Sequence, residues 1–507
     1  MVVLDAVQRT LGIEEDLKTV FGDMTANILA CAMAQVMEPS VMDEVHLTVE
    51  ESVLGEYLCL RGDLSPATLS DLTQELGSSL ALMDDFFDLR LEHDKGRVSV
   101  FDITSVSTYS NVNGWAEYGY NRDGEALRQL GWLLITGSDG IPKAFVMLPG
   151  SVSDISTLQT VVAAFRDKML DGDALFDRGF ESASNVRYLL KEGISFVTPS
   201  NLTAKAVKTL LSKAHTAVRS AENQSILDGE RYGHVTYRIG IISEGDDTEC
   251  RYAYVDEDDE GFEESMKLSA HVIYDPRSEV KANDSLLSEV MTLQQELKGM
   301  KIGQAKKLLA KRRSQIIKAL NLEADEHGNA TVTVNYNSIS FSSNRAGMFI
   351  LLTPENMSWD TAMTSYGIRN EVEEAYDAFK NDMDGNRLRT GDPERARGRF
   401  FIRFLSLMIL VFIRRRLRKY SESLTPKQRK DDKVHNMSVR EVLRSLNTIL
   451  AVGSTGEWKL THVTKTNRQL FNALGLKPIS SGKVVLGRLD QVCEPLAPAA
   501  QKSDSEQ

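Results

Sequence analysis

Apolar residues recur at helical spacing through the first part of the chain. The stretch EEDLKTVFGDMTANILACAMAQVM places them three and four residues apart, as one face of a helix requires. The segment SPATLSDLTQELG, at 65–77, begins with Ser and Pro and reaches Gly at its end, which are helix start and stop signals. We therefore predict a helical N-terminal region over residues 1–95.

At Arg97 the pattern changes to the alternation of β-strands. RVSVFDITSVS is a β-branched strand, and RQLGWLLITG, SDG and IPKAFVMLPG form a predicted hairpin. A helix, DISTLQTVVAAFRDKML, the strand DALFD, a second helix beginning after RGF, and the strand ISFVTPS follow. Three successive strands followed by alternating helices and strands predict an α/β fold, a mixed sheet with helices on both faces.

The regular order ends near residue 201. HVTYRIGIIS and CRYAYVD are strand-like, 278–320 is predicted to be one long helical stretch that includes AKKLLAKRR, and NATVTVNYNSISF predicts a return to β-structure. We interpret 201–344 as an insertion or second domain. AGMFILLT, at 346–353, predicts another buried strand. The apolar run FLSLMILVFI, at 404–413, is too short to span a bilayer and predicts a buried helix.

Charge is distributed unevenly along the chain. The net charge is −13, but residues 1–96 carry 19 acidic and 5 basic side chains, whereas residues 387–433 carry 15 basic and 5 acidic ones. The basic segment is a candidate phosphate-binding surface, although a solvated helix face that balances acidic neighbours would give the same composition. The four cysteines are far apart, and the N-terminus lacks a signal-peptide pattern, so we expect a cytoplasmic protein.

Two aspartates occupy unusual positions in predicted strands. Asp102 lies inside the apolar strand VSVFDITSV, and Asp177 ends the strand before RGF, although Asp disfavours strands. Asp173, at the start of that second strand, competes with Asp177 for a functional role. We prefer Asp177, because α/β sheets place their chemistry at the carboxyl ends of strands. A turn-forming Asp is the alternative interpretation for Asp177.

The stretch YGIRNEVEEAYDAFK, at 366–380, combines charged and aromatic residues on one predicted helix. At about 100° per residue, Tyr366, Arg369, Glu373 and Lys380 fall within a stripe of about 60°. The stripe is about 21 Å long, so it could follow a polyanionic backbone. Asp377 lies near the stripe and is a rival carboxylate. The alternative is an amphipathic helix whose outer face carries an Arg369–Glu373 ion pair.

These residues resemble the motifs of a known family. Tyr366-x2-Arg369-x3-Glu373-x6-Lys380 is similar to the signature of the insertion-sequence-four-like group of DDE transposases. FDITS and LFDRGF resemble that group's two Asp motifs, and AGMFILLT resembles the strand before its signature helix. RARGRFFIRFLSLMILVFIRRRL and KTNRQLFNALGL resemble its C-terminal segments. The sequence departs from the group's usual pattern at Ala346 and Arg399.

The resemblance implies an RNase H-like core with a metal-binding triad of Asp102, Asp177 and Glu373. Two Mg²⁺ ions per site are implied, for which Mn²⁺ can substitute. In chain order, the predicted segments are a helical N-terminal region for end recognition or dimerisation (1–95), the first part of the core (96–200), the insertion (201–344), the second part of the core (345–420), a C-terminal region (421–493) and a disordered tail (494–507).

Several cations and aromatic residues are candidates for contacting DNA. The resemblance assigns phosphate contacts near the cut to Arg369 and Lys380, and a phosphate or displaced-base contact to Tyr366. Trp359 or Trp115 is a candidate stacking partner, with a core role as the alternative for each. The predicted DNA-binding residues outside the triad are Tyr366, Arg369, Lys380, Arg178, Arg414, Arg415 and Arg416, and AKKLLAKRR is a second candidate patch.

The function implied by the resemblance is DNA transposition by cutting and rejoining. The expected partners are double-stranded DNA, as terminal inverted repeats and target, and a second copy of the chain in a synaptic complex, with no membrane involved. Two alternatives are also compatible with the sequence. One is an inactive or domesticated derivative that binds DNA without cutting it, and the other is an RNase H-fold nuclease without strand transfer.

Overall fold

The computed structural model describes residues 1–119, 126–169, 172–201, 205–243, 250–254, 266–385, 387–454, 457–477 and 484–486. The predicted tail, 494–507, lies outside the described residues. The chain divides into two compact units. The first unit comprises the described residues of Met1–Thr157, Asp167–Gly172 and Ile368–Gln507, and the second comprises those of Leu158–Arg166 and Asp173–Gly367.

The predicted helical N-terminal region is confirmed. Its helices, α1 to α7, cover Val2–Thr10, Ile13–Phe21, Thr25–Met37, Val45–Glu50, Leu54–Tyr57, Pro66–Ser78 and Leu80–Glu92. The Ser65 hydroxyl accepts a hydrogen bond from the Thr68 amide, as an N-cap does. By length and composition, Ile13–Met37 could cross a membrane, but 61% of its most apolar window is buried, as in core helices of soluble proteins.

The alternating strands and helices follow in the predicted order. Strands β1 to β3 cover Ser99–Thr108, Arg128–Thr136 and Pro142–Pro149, which confirms the hairpin. Next come α8 (Asp154–Met169), β4 (Ala174–Phe176), α9 (Ala183–Lys191), β5 (Phe196–Pro199), α10 (Lys205–Ala217), β6 (Gln224–Leu227), β7 (Glu230–Ser243), β8 (Cys250–Tyr254) and β9 (Met266–Tyr274).

The remaining elements complete the chain. They are α11 (Pro276–Leu297), α12 (Ile302–Leu309), α13 (Ser314–Ala319), β10 (Leu320–Ala324), β11 (Ala330–Val334), α14 (Tyr336–Ser343), β12 (Met348–Pro354), α15 (Trp359–Gly367), α16 (Arg369–Asp377), β13 (Arg387–Leu388), α17 (Pro393–Ser423), α18 (Pro426–Asp431), α19 (Val439–Asn447), β14 (Ala451–Ser454), β15 (Glu457–Leu460), α20 (Lys465–Ala473) and β16 (Val484–Leu486). A π-helical turn, Ala378–Asp382, follows α16.

Parallel and antiparallel strand pairings both occur within each unit. In the first unit, β2 lies antiparallel between β3 and β1, and β13 runs parallel to β1. In the second unit, β4 and β5 are parallel, whereas β5, β12, β9, β7 and β6 follow one another antiparallel, with β8 also on β7. Mixed sheets with helices confirm the α/β prediction and are consistent with an RNase H-like fold.

Two local predictions between residues 278 and 343 are wrong. The long helix is instead α11, α12 and α13. Gly299, between α11 and α12, adopts a φ of 78°, and Arg313, before α13, adopts a non-helical ψ of 146°. The predicted β-structure after β11 is the helix α14. Its start is fixed by the Asn335 side chain, which accepts a hydrogen bond from the Ser338 amide at 3.1 Å.

The apolar run at 404–413 lies in the middle of α17, and most of its residues are buried, as predicted. Phe401 and Phe404 of this helix contact Phe86 and Phe87 of α7, with ring centroids 5.3 Å and 5.5 Å apart for the closest pairs. Phe404 also contacts Phe145 of β3 at 5.5 Å. Aromatic packing on α17 therefore joins the N-terminal helices to the sheet of the first unit.

Candidate active site

Asp102 lies near the centre of β1, and only 7% of it is exposed. One of its carboxylate oxygens accepts a hydrogen bond from the Ile103 amide at 2.8 Å. Its strand partner in β2 is Leu134. Burying a carboxylate in a mostly apolar strand costs hydration free energy. Asp102 therefore occupies the unusual strand position for which the sequence predicted a functional role.

The helix that carries Glu373 is fastened to the strand of Asp102 by a tyrosine. The Tyr376 hydroxyl donates to the Asp102 carbonyl oxygen at 2.6 Å and accepts from the Leu134 amide at 3.2 Å. Tyr376 is buried, and its ring lies edge-on to Trp132 with centroids 6.2 Å apart. Glu373 is one helical turn before this attachment, so α16 holds it in the same unit as Asp102.

Tyr376 lies on the buried face of its helix, together with Val372, Ala375 and Phe379. The sequence analysis did not single it out. A tyrosine among buried apolar residues normally needs a hydrogen-bond partner for its hydroxyl, so the residue type itself could have indicated a buried contact. Tyr376 is thus a positioning residue that joins the two carboxylate-bearing elements of the first unit.

Glu373 is exposed and forms an ion pair with Arg369, whose guanidinium is 2.8 Å from its carboxylate. This is the pair that the amphipathic-helix alternative expects. The rival carboxylate, Asp377, is bound instead by Arg414 at 2.8 Å, and that hydrogen bond lowers the pKa of Asp377. Asp377 therefore has a structural partner on α17, which favours Glu373 over it as a metal ligand.

The predicted single helix over 366–380 is not continuous. Its hydrogen-bond ladder is interrupted between α15 and α16, although Ile368 keeps helical angles of −68° and −19°. Lys380 is half-buried in the π-helical turn. Tyr366 belongs to the second unit, where its ring lies 5.7 Å from that of Phe349 in β12. The predicted alignment of Tyr366, Arg369, Glu373 and Lys380 on one face of a regular helix is therefore only approximate.

Asp177 belongs to the second unit and follows β4 directly. It is half-buried and precedes a single 3₁₀ turn, Arg178–Phe180, in which Arg178 is exposed. Its carbonyl oxygen accepts from the Phe180 amide at 3.0 Å, as in a turn. The competitor, Asp173, accepts a hydrogen bond from the Ser195 hydroxyl at 2.6 Å. Asp173 therefore has a role in fixing the start of its strand.

The basic residues of α17 have different surroundings. Arg414 binds Asp382 as well as Asp377, and Arg418 binds Glu371 and Glu374 of α16. Arg416 is exposed and its guanidinium lies 5.0 Å from the Phe412 ring. Arg414 and Arg418 therefore brace the signature helix against α17. The second patch is exposed at Lys306, Lys307, Lys311, Arg312 and Arg313.

The two tryptophans considered for base stacking have partners in the fold. Trp359 of the second unit stacks on His234, with centroids 3.9 Å apart and planes 11° from parallel. Trp115 of the first unit lies under Arg397, whose guanidinium carbon is 5.3 Å from the ring centre. Both contacts agree with the alternative interpretation, in which these side chains stabilise the fold.

The chemistry of Asp102, Asp177 and Glu373 suits a hard divalent cation, because all three offer carboxylate oxygens. Within the described part of the chain, no three His, Cys, Asp or Glu side chains are grouped as a metal site. Glu373 is accessible, and its pairing with Arg369 can be exchanged for an ion at small cost because the pair is surface-exposed. The donor set therefore fits Mg²⁺ in its ligand chemistry.

Comparison with known proteins identifies the family. The family model described as the transposase DDE domain matches residues 93–409, which is more than half of the chain. The match begins just before β1 and ends within α17, so it includes the segments of Asp102, Asp177 and Glu373. A search of curated proteins gives no match. The chain belongs to the family of transposases with a DDE domain.

Proposed function

We propose that this protein cuts the ends of a mobile DNA element and joins them to target DNA. The observation that supports the proposal most is the Tyr376 attachment, which holds the Glu373 helix against the Asp102 strand. Membership of the DDE family supplies the reaction class. The two together favour phosphodiester chemistry centred on these carboxylates.

In this proposal Asp102, Asp177 and Glu373 would hold two Mg²⁺ ions, or Mn²⁺ in their place. The carboxylate oxygens of all three residues would serve as the ligands. The bound ions would activate the attacking oxygen and stabilise the leaving oxygen of an in-line displacement. Glu373 gives up its Arg369 partner on metal binding, and the released guanidinium can then contact a DNA phosphate.

The proposed DNA contacts follow the signature helix. Arg369 and Lys380 hold phosphates near the cut, and Tyr366 contacts a phosphate or a displaced base. Arg178, exposed beside Asp177, contacts the same strand. Arg415 and Arg416 extend the basic surface along α17, whereas Arg414 acts mainly by bracing α16. Phosphate contacts of this kind orient DNA without reading its sequence.

The proposed reaction proceeds by successive displacements at phosphorus. Water first attacks the phosphodiester at the element end and frees a 3′-hydroxyl. That hydroxyl attacks the opposite strand to give a hairpin and a double-strand break, water reopens the hairpin, and the 3′-hydroxyl attacks target DNA. Each step breaks one P–O bond and forms another. Because two ends must be joined together, we propose a homodimeric synaptic complex in the cytoplasm.

A nicking assay tests the proposal. The full-length protein is incubated with Mg²⁺ or Mn²⁺ and a labelled duplex that carries one end of the element. We expect Asp102→Asn, Asp177→Asn and Glu373→Gln each to abolish nicking while DNA affinity is retained. The controls are Asp173→Asn, which removes the competitor of Asp177, and Glu296→Gln, which removes an exposed carboxylate of α11, and both should nick at the parental rate.

The same assay separates the alternatives. A nuclease without strand transfer would nick the labelled duplex but never join its 3′-end to an added target plasmid. An inactive DNA-binding derivative would shift the duplex on a gel and leave it intact under every metal condition. Parental nicking rates in the Asp102→Asn and Glu373→Gln proteins would show that the triad is assigned incorrectly.

A further inference from the structure

A recess in the first unit is lined by four arginines that the proposed reaction does not use. Arg387 and Arg389 come from β13 and the residue after it, and Arg399 and Arg403 come from one face of α17. Asp384 is the acidic residue in the lining, and Ser40, Val41, Met42 and Leu388 complete it. The recess thus has a large excess of positive charge.

Three of the four arginines have contacts within the first unit. The Arg399 guanidinium is 2.9 Å from Asp43, an Arg403 nitrogen donates to the Arg387 carbonyl oxygen at 3.4 Å, and the Arg387 guanidinium carbon lies 5.6 Å from the Tyr109 ring centre. The Nε atom of Arg399 is buried without a hydrogen-bond partner among the described residues. The lining thus combines four guanidinium groups with the Asp384 carboxylate and contains an unsatisfied buried donor.

Such an arrangement is unfavourable without an anion. Burial, followed by repulsion from Arg399, lowers the pKa of Arg403 to about 10. Arg389 adds to this repulsion, and Asp384 opposes it. Charged groups whose pKa values are shifted by burial and by neighbouring charges cluster at functional sites. Guanidinium groups bind phosphate through paired hydrogen bonds.

We propose that this recess, called here the arginine recess, binds a backbone phosphate of the DNA substrate. The strand β13 runs parallel to β1, with Arg387 opposite Ser107 and Leu388 opposite Thr108. Ser107 is five residues beyond Asp102 on that strand, or about 17 Å at 3.3 Å per residue. The bound phosphate therefore lies on the order of five base-pair rises from the cut.

This inference rests on the proposed function for its DNA substrate, but its test does not require cleavage. Binding of the element-end duplex to the full-length protein is measured without divalent metal, over a series of salt concentrations. In a set of duplexes, one phosphate at a time is replaced by an uncharged methylphosphonate. The principal variant is Arg389→Met, because Arg389 is exposed and its loss leaves the core intact.

We expect Arg389→Met to weaken binding about tenfold and to reduce the salt slope by about one. One methylphosphonate position should weaken the wild-type protein by a similar factor and leave the variant unchanged. Arg403→Met, checked for folding by circular dichroism, should likewise be insensitive to the methylphosphonate at that position. The control is Arg429→Met, an exposed arginine outside the recess, which should retain the wild-type pattern.

Identical methylphosphonate profiles for wild type and both recess variants would overturn the proposal. Inorganic phosphate provides a second arm, measured as thermal stabilisation of the protein alone. Inorganic phosphate could stabilise the wild type but not Arg389→Met, while every methylphosphonate affects both proteins equally. In that case the recess binds a free anion, and the assignment to DNA is wrong. If the recess variants lose their sensitivity to one methylphosphonate position but the wild-type protein does not nick DNA, the result would contradict the proposed reaction and support phosphate binding in the recess.

Discussion

The Tyr376 hydroxyl lies between the two strand residues that face each other at Asp102 and Leu134. One side chain thereby fixes α16 against both β1 and β2. A net contribution of about 1 kcal/mol per hydrogen bond is typical, and losing the partner of a buried amide costs more. The position of Glu373 relative to Asp102 therefore depends on a group that has no part in the chemistry.

We predict that Tyr376→Phe lowers the nicking rate about tenfold at subsaturating Mg²⁺, because the phenyl ring packs normally but the Leu134 amide loses its partner. Most of the loss should be recovered at high metal concentration, which a purely structural defect would not allow. The Mg²⁺ dependence of single-turnover nicking measures this. The control is Tyr336→Phe, an exposed tyrosine. An unchanged Mg²⁺ dependence would remove Tyr376 from the site.

At the scale of residues, the sequence identifies candidate metal ligands more readily than the side chains that hydrogen-bond to their backbone. Asp102 stands out because a carboxylate interrupts an apolar strand, and Glu373 because of its spacing from Arg369. The bond between Tyr376 and Asp102 joins residues far apart in the chain and depends on the register of β1 with β2. β1 ends at Thr108 and β2 begins at Arg128, so no tight turn fixes this register locally.

At the scale of elements, the signature helix is held by the helix that follows it. Arg414 of α17 binds Asp377 at the end of α16 and Asp382 at the end of the π-helical turn. The hydrogen bond from Arg414 is the main cause of the lowered pKa of Asp377. These two ion pairs of Arg414, called here the brace, attach the irregular segment between α16 and β13 to α17.

The brace should depend on pH. A carboxyl with a lowered folded-state pKa stabilises the fold above its unfolded value of 3.8, and this stability is lost as pH falls through the folded-state pKa. We predict that Arg414→Met lowers the free energy of unfolding at neutral pH by about 1 kcal/mol, a modest value because Asp377 is half-exposed. Urea unfolding from neutral pH to about pH 3 measures it.

Loss of Arg414 should also make unfolding less sensitive to acid, because Asp377 then titrates nearer its ordinary pKa. Lys419→Met, an exposed change on the same helix, provides the control and should retain the wild-type pH profile. Equal pH profiles for Arg414→Met and wild type would contradict the assignment of the brace to this ion pair.

Helices α6 and α17 cross at two glycines. A methyl group on Gly398 would lie 2.0 Å from the Thr73 carbonyl oxygen, and one on Gly77 would lie 1.6 Å from that of Glu394. We predict that Gly398→Ala lowers the free energy of unfolding by more than about 2 kcal/mol, since backbone must move. Gly303→Ala, in α12 with open space around it, should be neutral or stabilising. Denaturant unfolding compares the two, and equal effects would contradict this packing.

The elements that the sequence predicts well are those specified by nearby residues. The hairpin of β2 and β3 and the Ser65 start of α6 depend on local turn and cap chemistry. The break at Gly299 and the helix α14 were missed, because apolar spacing alone does not show where a backbone turns. The interruption between α15 and α16 was likewise invisible to a uniform helical period.

At the scale of the whole molecule, the uneven charge has a structural explanation in part. Arg399 of the basic segment pairs with Asp43 of the acidic N-terminal region, and Arg397 donates to the Gly77 carbonyl oxygen. Some of the basic residues therefore balance acidic neighbours, as the simpler interpretation of the composition expected. Arg416 is exposed, and four arginines line the arginine recess, so both are candidates for contact with a polyanion.

We propose that Asp102, Asp177 and Glu373 share metal ions, although they come from distant parts of the chain. Iron(II) bound in place of Mg²⁺, with ascorbate and peroxide, generates radicals that cut the polypeptide close to the ion. Mass spectrometry of the full-length protein should then show cuts near all three residues, absent in Asp102→Asn and suppressed by excess Mg²⁺. Cuts confined to one of the three segments, or unchanged in Asp102→Asn, would contradict the shared site.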